Sequence, residues 1–324
     1  MISWGLLLFL FLPRLHAEDQ GERWACAGPA ASGAVAPVAA KLARPLVSGR
    51  PRALVLFAKF HGENPDETRA PDWATDIFDP RHPGSFTHFY EAMSFGQLRP
   101  EGETTIFQYE SERESDAYTS EDATEFGGFG RFSLEILQAA DREIDFSRFD
   151  NDGPDEIPDS GDDDAVVDLL FIVTASAPAN FIRGPATGAG TLGFAGAYTT
   201  DDVGRNGRAI RILPSNGTLQ RGRSYAEAVG SLCHASGHIL GLPDLYDTAF
   251  LRAKGAGPAE DSAGIGAWGL MGWGALGWYG DDGPNSLSAW SREKLRWARV
   301  EEVTMSPQAL RLEPAATGAL VRIP

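Results

Sequence analysis

The sequence predicts an α/β domain, and three observations carry that expectation. Two dense apolar runs, residues 53–60 (ALVLFAKF) and 166–174 (VVDLLFIVT), have the length and composition of strands buried in a sheet interior. Segments 85–95, 133–144 and 224–240 instead carry their apolar residues at helical spacing. No internal repeat is evident, so strand and helix alternate within one fold rather than along an array.

In chain order, residues 4–12 (WGLLLFLFL) are too short to span a bilayer and read as the apolar core of a secretory signal, with cleavage near Ala17. Residues 18–50 are rich in Ala, Pro and Gly and read as a linker or pro-segment. Residues 51–303 hold the expected domain. Within it, residues 85–95 end as a helix at Gly96, and Ser133 is the expected cap of the helix 133–144. Ser224 and Glu227 form a capping-box pattern for the segment YAEAVGSLCHASGHIL, which Gly241 can end. Gly230 and Gly237 lower the intrinsic propensity of that helix by ~1 kcal/mol each, so packing must hold it. Residues 304–324 begin a further strand or C-terminal region, and the run from Ala319 to Ile323 is where a continuing or truncated fold is expected.

The chain has 324 residues, 28 Lys+Arg against 45 Asp+Glu and a net charge of −17. Such a balance repels phosphate backbones, so nucleic acid is excluded as a natural partner, and no later segment is apolar enough for membrane insertion. Nine acidic residues lie between Asp150 and Asp168 with no basic one among them. Hard cations gather carboxylates on such Gly-containing turns, so Asp150, Asp152 and Asp168 are candidate calcium ligands, against the alternative of a solvated acidic loop.

His234 and His238 stand four positions apart, which on a helix places both imidazoles on one face. Gly241 then turns the chain back and delivers Asp244, so the string HASGHILGLPD can offer two nitrogens and a carboxylate to one tetrahedral ion. The two cysteines, Cys26 and Cys233, are too few for a disulfide framework. They can pair with each other or act as small buried apolar groups. As a third alternative, the Cys26 thiolate can fill the open position of the ion.

These residues resemble the immune inhibitor A family of secreted zinc metallopeptidases, which are metzincin-like. That family's signature, His-Glu-x-x-His-x-x-Gly-x-Pro-Asp-Leu-Tyr-Asp, is matched at His234, His238, Gly241 and residues 243–247. Further matches are SFTHFYEAMSFGQLRPEG at 85–102, DFSRFDNDG at 145–153, GIGAWGLMGWG at 264–274 and PNSLSAWSREKLRW at 284–297. The resemblance implies a twisted mixed sheet with an active-site helix and a smaller irregular C-terminal subdomain. It implies zinc on His234, His238 and Asp244, with Asp247 as the fallback third ligand. It also implies that Met271 sits in a tight, close-packed turn beneath the metal, a polypeptide as substrate or ligand, and a secreted or extracytoplasmic location, periplasmic or extracellular.

One departure outweighs these matches. Where the family has its general-base Glu, this chain has Ala235. Losing a positioned base lowers the rate by about 10²–10⁴. Ser236 points about 100° round the helix from Ala235, and Glu227 lies about 10 Å away along the axis, so neither replaces it. The expectation is a zinc-binding metallopeptidase-like protein whose proteolysis is lost or strongly reduced. The alternative is an active zinc endopeptidase that uses zinc-bound hydroxide and a non-standard base.

Overall fold

A computed structural model describes residues 26–27, 47–155, 157–246, 264–303 and 318–322. The expected signal segment and Asp247 lie outside these residues. The main sheet has six strands in the order β1-β5-β8-β4-β2-β3: β1 Cys26–Ala27, β2 Arg52–Lys59, β3 Glu101–Glu110, β4 Leu169–Thr174, β5 Gly188–Ala189 and β8 Gly217–Arg221. It is mixed, as expected: β3, β2, β4 and β8 run parallel, and β5 runs antiparallel to β8. Parallel neighbours need crossovers, and α1 Phe86–Met93 supplies one between β2 and β3.

Strand alternation sorts the central strands onto two cores. Leu54, Leu56 and Ala58 of β2 join Leu170 and Ile172 of β4 on one face, beneath α2 Phe129–Ala140. Ala53, Val55 and Phe57 join Leu169, Phe171 and Val173 on the other, beneath α1 and α3 Tyr225–Ile239. The result is three layers, with the histidine helix buried against one face of the sheet.

Of the two caps expected from the sequence, Ser224 holds and Ser133 does not, and Ser85 caps a helix without having been expected to. Ser85 Oγ accepts the His88 N–H at 3.1 Å, and Ser224 Oγ accepts the Glu227 N–H at 3.2 Å. Ser133, expected as a cap, lies fully buried inside α2, which begins four residues earlier at Phe129. Phe129, Phe132, Ile136, Leu137 and Ala140 form one apolar face, and Gly128 and Gly130 hide its beginning in the sequence. Gly130 is there because a Cβ would overlap the Gly193 carbonyl.

A hairpin of β6 Tyr198–Val203 and β7 Ala209–Ile212 stands apart from the main sheet. Beyond α3 the described chain is irregular, with short 3₁₀ turns at Gly266–Trp268 and Gly274–Leu276 and the helix α4 Ala289–Lys294. The run expected as a strand near the C-terminus is β10 Ala319–Arg322, which pairs in parallel with β9 Arg299–Glu302.

Candidate metal centre

Helix α3 is almost wholly buried, and two of its glycines explain how. A Cβ on Gly230 would overlap the carbonyl oxygen of Ala275, and one on Gly237 would overlap Met271 Sδ. The segment around residues 264–277 therefore packs directly under the helix, with Leu270, Met271 and Ala275 in the core. Close packing does not extend along the whole aromatic run: Trp268, Trp278 and Tyr279 are exposed, with Trp268 and Trp278 edge to face.

The turn does more than fill space. His234 Nδ1 meets the Leu270 carbonyl at 2.8 Å, and His238 Nδ1 meets the Leu242 carbonyl at 2.9 Å. A carbonyl only accepts, so both Nδ1 atoms carry the proton and both Nε2 atoms face inward. Gly241, at φ +85°, ends α3 and turns the chain so that Asp244 returns to the histidines. Asp244 Oδ1 lies 3.1 Å from His234 Nε2 and 3.4 Å from His238 Nε2, and the latter nitrogen is buried without a formed hydrogen bond.

Cys26 is the fourth member. Among the described residues, the ligand atoms of Cys26, His234 and His238 lie within 4.8 Å of one another, and all three residues are buried. Ligands held at about 2.0–2.3 Å from a tetrahedral zinc ion sit roughly 3.3–3.8 Å apart, so these three donors would draw together on binding one, while Asp244 lies beside the histidines outside the mutually close set. Tyr246 holds the thiol-bearing strand from behind: its hydroxyl donates to the Cys26 carbonyl at 3.2 Å. No disulfide joins the cysteines, and Cys233 is a buried apolar group whose carbonyl accepts the Tyr90 hydroxyl at 2.6 Å.

The electrostatics point the same way. Burial disfavours charge on both imidazoles, yet their bonds to Asp244 and Cys26 outweigh it, and His238 is pushed up to about 10 while His234 also rises. Burial likewise opposes the Asp244 carboxylate, and the two histidines nevertheless hold it far below the usual range. The same histidines lower the Cys26 thiol against the effect of its burial. Asp244 and Cys26 therefore favour positive charge at the two imidazoles, and a metal bound there would have to displace their protons.

Ala235 is buried beside His234, and among the described residues Ser236 and Glu227 do not substitute for a base. Ser236 lines a small apolar cavity with Tyr90 and Phe86. Glu227 is spent elsewhere: it accepts Arg221 Nε at 2.9 Å, the Arg223 N–H at 2.9 Å and Arg223 Nε at 3.0 Å. Burial opposes its charge, but these arginines keep it ionised below the usual glutamate range.

The calcium expectation gains no support among the described residues. Asp150, Asp152 and Asp168 do not assemble into an ion cage, since the one qualifying ligand set among the described residues is that of Cys26, His234 and His238. The acidic loop uses its carboxylates on its own backbone: Asp150 Oδ2 accepts the Ala165 N–H at 3.1 Å, and Asp168 Oδ2 accepts the Asn151 N–H at 3.2 Å.

Comparison with protein families matches residues 74–302 to the model described as immune inhibitor A peptidase M6, catalytic domain. No curated protein matches the chain. The matched span contains α3, the Gly241 turn, Asp244 and Met271, while Cys26 lies upstream of it. The match covers more than half of the chain, and the chain therefore belongs to the immune inhibitor A peptidase M6 family, with its histidine helix inside the catalytic domain.

Proposed function

We propose that the protein is an exported, zinc-binding, metallopeptidase-like protein of metzincin type, with lost or strongly reduced proteolytic activity. The observation that carries this reading is the pairing of a metal-ready donor set with Ala235 in the base position. His234, His238 and Asp244 would hold zinc, each imidazole fixed through Nδ1 so that Nε2 is free to coordinate. When bound, zinc supplies Lewis acidity toward a carbonyl. Among the described residues, Glu227 cannot take and return the proton during amide cleavage, since it is locked between Arg221 and Arg223. A cleft of this kind can still hold a polypeptide that it does not cut.

Export rests on the apolar run at residues 4–12 with its small residue at Ala17. Sequencing the mature N-terminus tests it: a chain that still begins at Met1 in the extracytoplasmic fraction would overturn cleavage near Ala17.

Function is tested by measuring zinc content together with cleavage of unfolded protein substrates. The expected result is stoichiometric zinc, lost in the His234→Ala/His238→Ala variant, with cleavage no faster than in a chelated control. Chelator-sensitive cleavage by the wild type, unchanged in Ala235→Glu, would establish the active zinc endopeptidase with a non-standard base instead.

A further inference from the structure

We propose that Cys26 is the fourth ligand of the metal, delivered by β1, so that this chain closes its own metal centre. The inference rests on the metal-binding reading above and adds to it the occupant of the coordination position that a catalytic site leaves open. Four observations meet at this point. Cys26 is 1% exposed, and its sulfur belongs to the one mutually close ligand set among the described residues. His238 Nε2, buried and without a formed hydrogen bond, faces the same point. The backbone of Cys26 is fixed on both sides, by the Tyr246 hydroxyl and by parallel pairing with β5 in the register Cys26–Gly188 and Ala27–Ala189. Finally, Cys26 lies upstream of the family-matched span of residues 74–302, so its sulfur reaches the histidine helix from outside the matched span.

Two consequences follow from the placement. Cys26, His234 and His238 are the three mutually close donors, and Asp244, beside both histidine Nε2 atoms but outside that set, would complete a tetrahedral set, the form of a structural rather than a catalytic zinc site. Strand β1 also covers the edge of β5, pairing with it in parallel over two residues, so that edge is closed to an added strand there. Sulfur and strand together shut the cleft: one fills the coordination position and the other fills the pairing edge. On coordination, the Cys26 S–H bond is replaced by a sulfur–metal bond and the proton leaves to solvent, with no change of oxidation state.

Cobalt(II) substitution tests this without relying on activity. The chain is stripped of metal, loaded with cobalt(II) alone and read by absorption, beside Cys26→Ser and Cys26→Ala variants checked for folding by circular dichroism. The expected wild-type spectrum has a sulfur-to-cobalt charge-transfer band in the near ultraviolet together with tetrahedral ligand-field bands. In the variants the charge-transfer band is lost while cobalt stays bound. Bound cobalt with no such band in the wild type overturns the Cys26 assignment and leaves the metal-binding reading standing. No bound cobalt at all overturns both.

Thiol alkylation of the wild type, mapped to Cys26 by mass spectrometry, covers the case of variants that do not fold. Slow reaction with metal and faster reaction after chelation supports coordination, and equal rates overturn it.

Discussion

Ala235 and Cys26 act on the same chemistry from opposite sides. In the proposed reading, Ala235 stands where a proton-moving base would be, and Cys26, close to both histidines, would fill the position where a reacting carbonyl approaches. Restoring the base alone is therefore expected to leave cleavage of unfolded protein at background, whereas Ala235→Glu/Cys26→Ala should raise kcat/KM by about 10²–10⁴ over Cys26→Ala. Full activity from Ala235→Glu alone would show that Cys26 does not block the centre. His234, His238 and Asp244 were legible because they lie within eleven residues and their spacing is imposed by one helix and one glycine turn. Cys26 was legible only as one of three alternatives, a thiolate at the ion beside a disulfide or a buried apolar group. It reaches the site from 208 residues upstream through a two-residue strand, too short to leave any periodicity. Tyr246 stood in the recognised motif, but its hold on the Cys26 backbone exists only in three dimensions.

At the scale of elements, helix α3 shows why propensity alone misleads. Gly→Ala inside a helix normally stabilises by about 1 kcal/mol. Gly230 sits where any Cβ would overlap the Ala275 carbonyl, so Gly230→Ala should instead destabilise the domain by about 1–3 kcal/mol, read as a lower midpoint in chemical denaturation. An unchanged or higher midpoint would mean that the turn under α3 is not packed as described. The central strands were legible from composition because they are buried on both faces. Helix α2 was misplaced by four residues, since its first turn is built from Phe and Gly, which read as loop. The short strand β5 left no pattern at all, and it becomes a strand only through its neighbours β8 and β1.

Across the whole molecule, the net charge of −17 is concentrated in the loop that runs from Asp150 to Asp168. Burial first, and then the neighbouring Asp163 and Asp164, push Asp150 up to about 6. A carboxyl raised in the folded state holds its proton more tightly there than when unfolded. Its contribution to stability is fully present below its unfolded value of about 3.9 and is lost as pH rises through about 6. Asp150→Asn keeps an acceptor for the Ala165 N–H and removes the charge, so it should melt a few degrees above the wild type at pH 7.5, with the gap closing by pH 4. A gap of equal size at both values would contradict this reading. Acidity was readable from composition, but not that Asp150 and Asp168 bond the loop's own backbone, because the partners Ala165 and Asn151 are set by the fold.

The central claim is that a peptidase fold without its base retains a metal centre. Its most direct test is the zinc content of the purified, dialysed wild-type chain, measured beside a folded His238→Ala variant. Stoichiometric zinc in the wild type and a severe loss in the variant is the predicted result; a wild-type chain without zinc, or equal zinc in both, would contradict it.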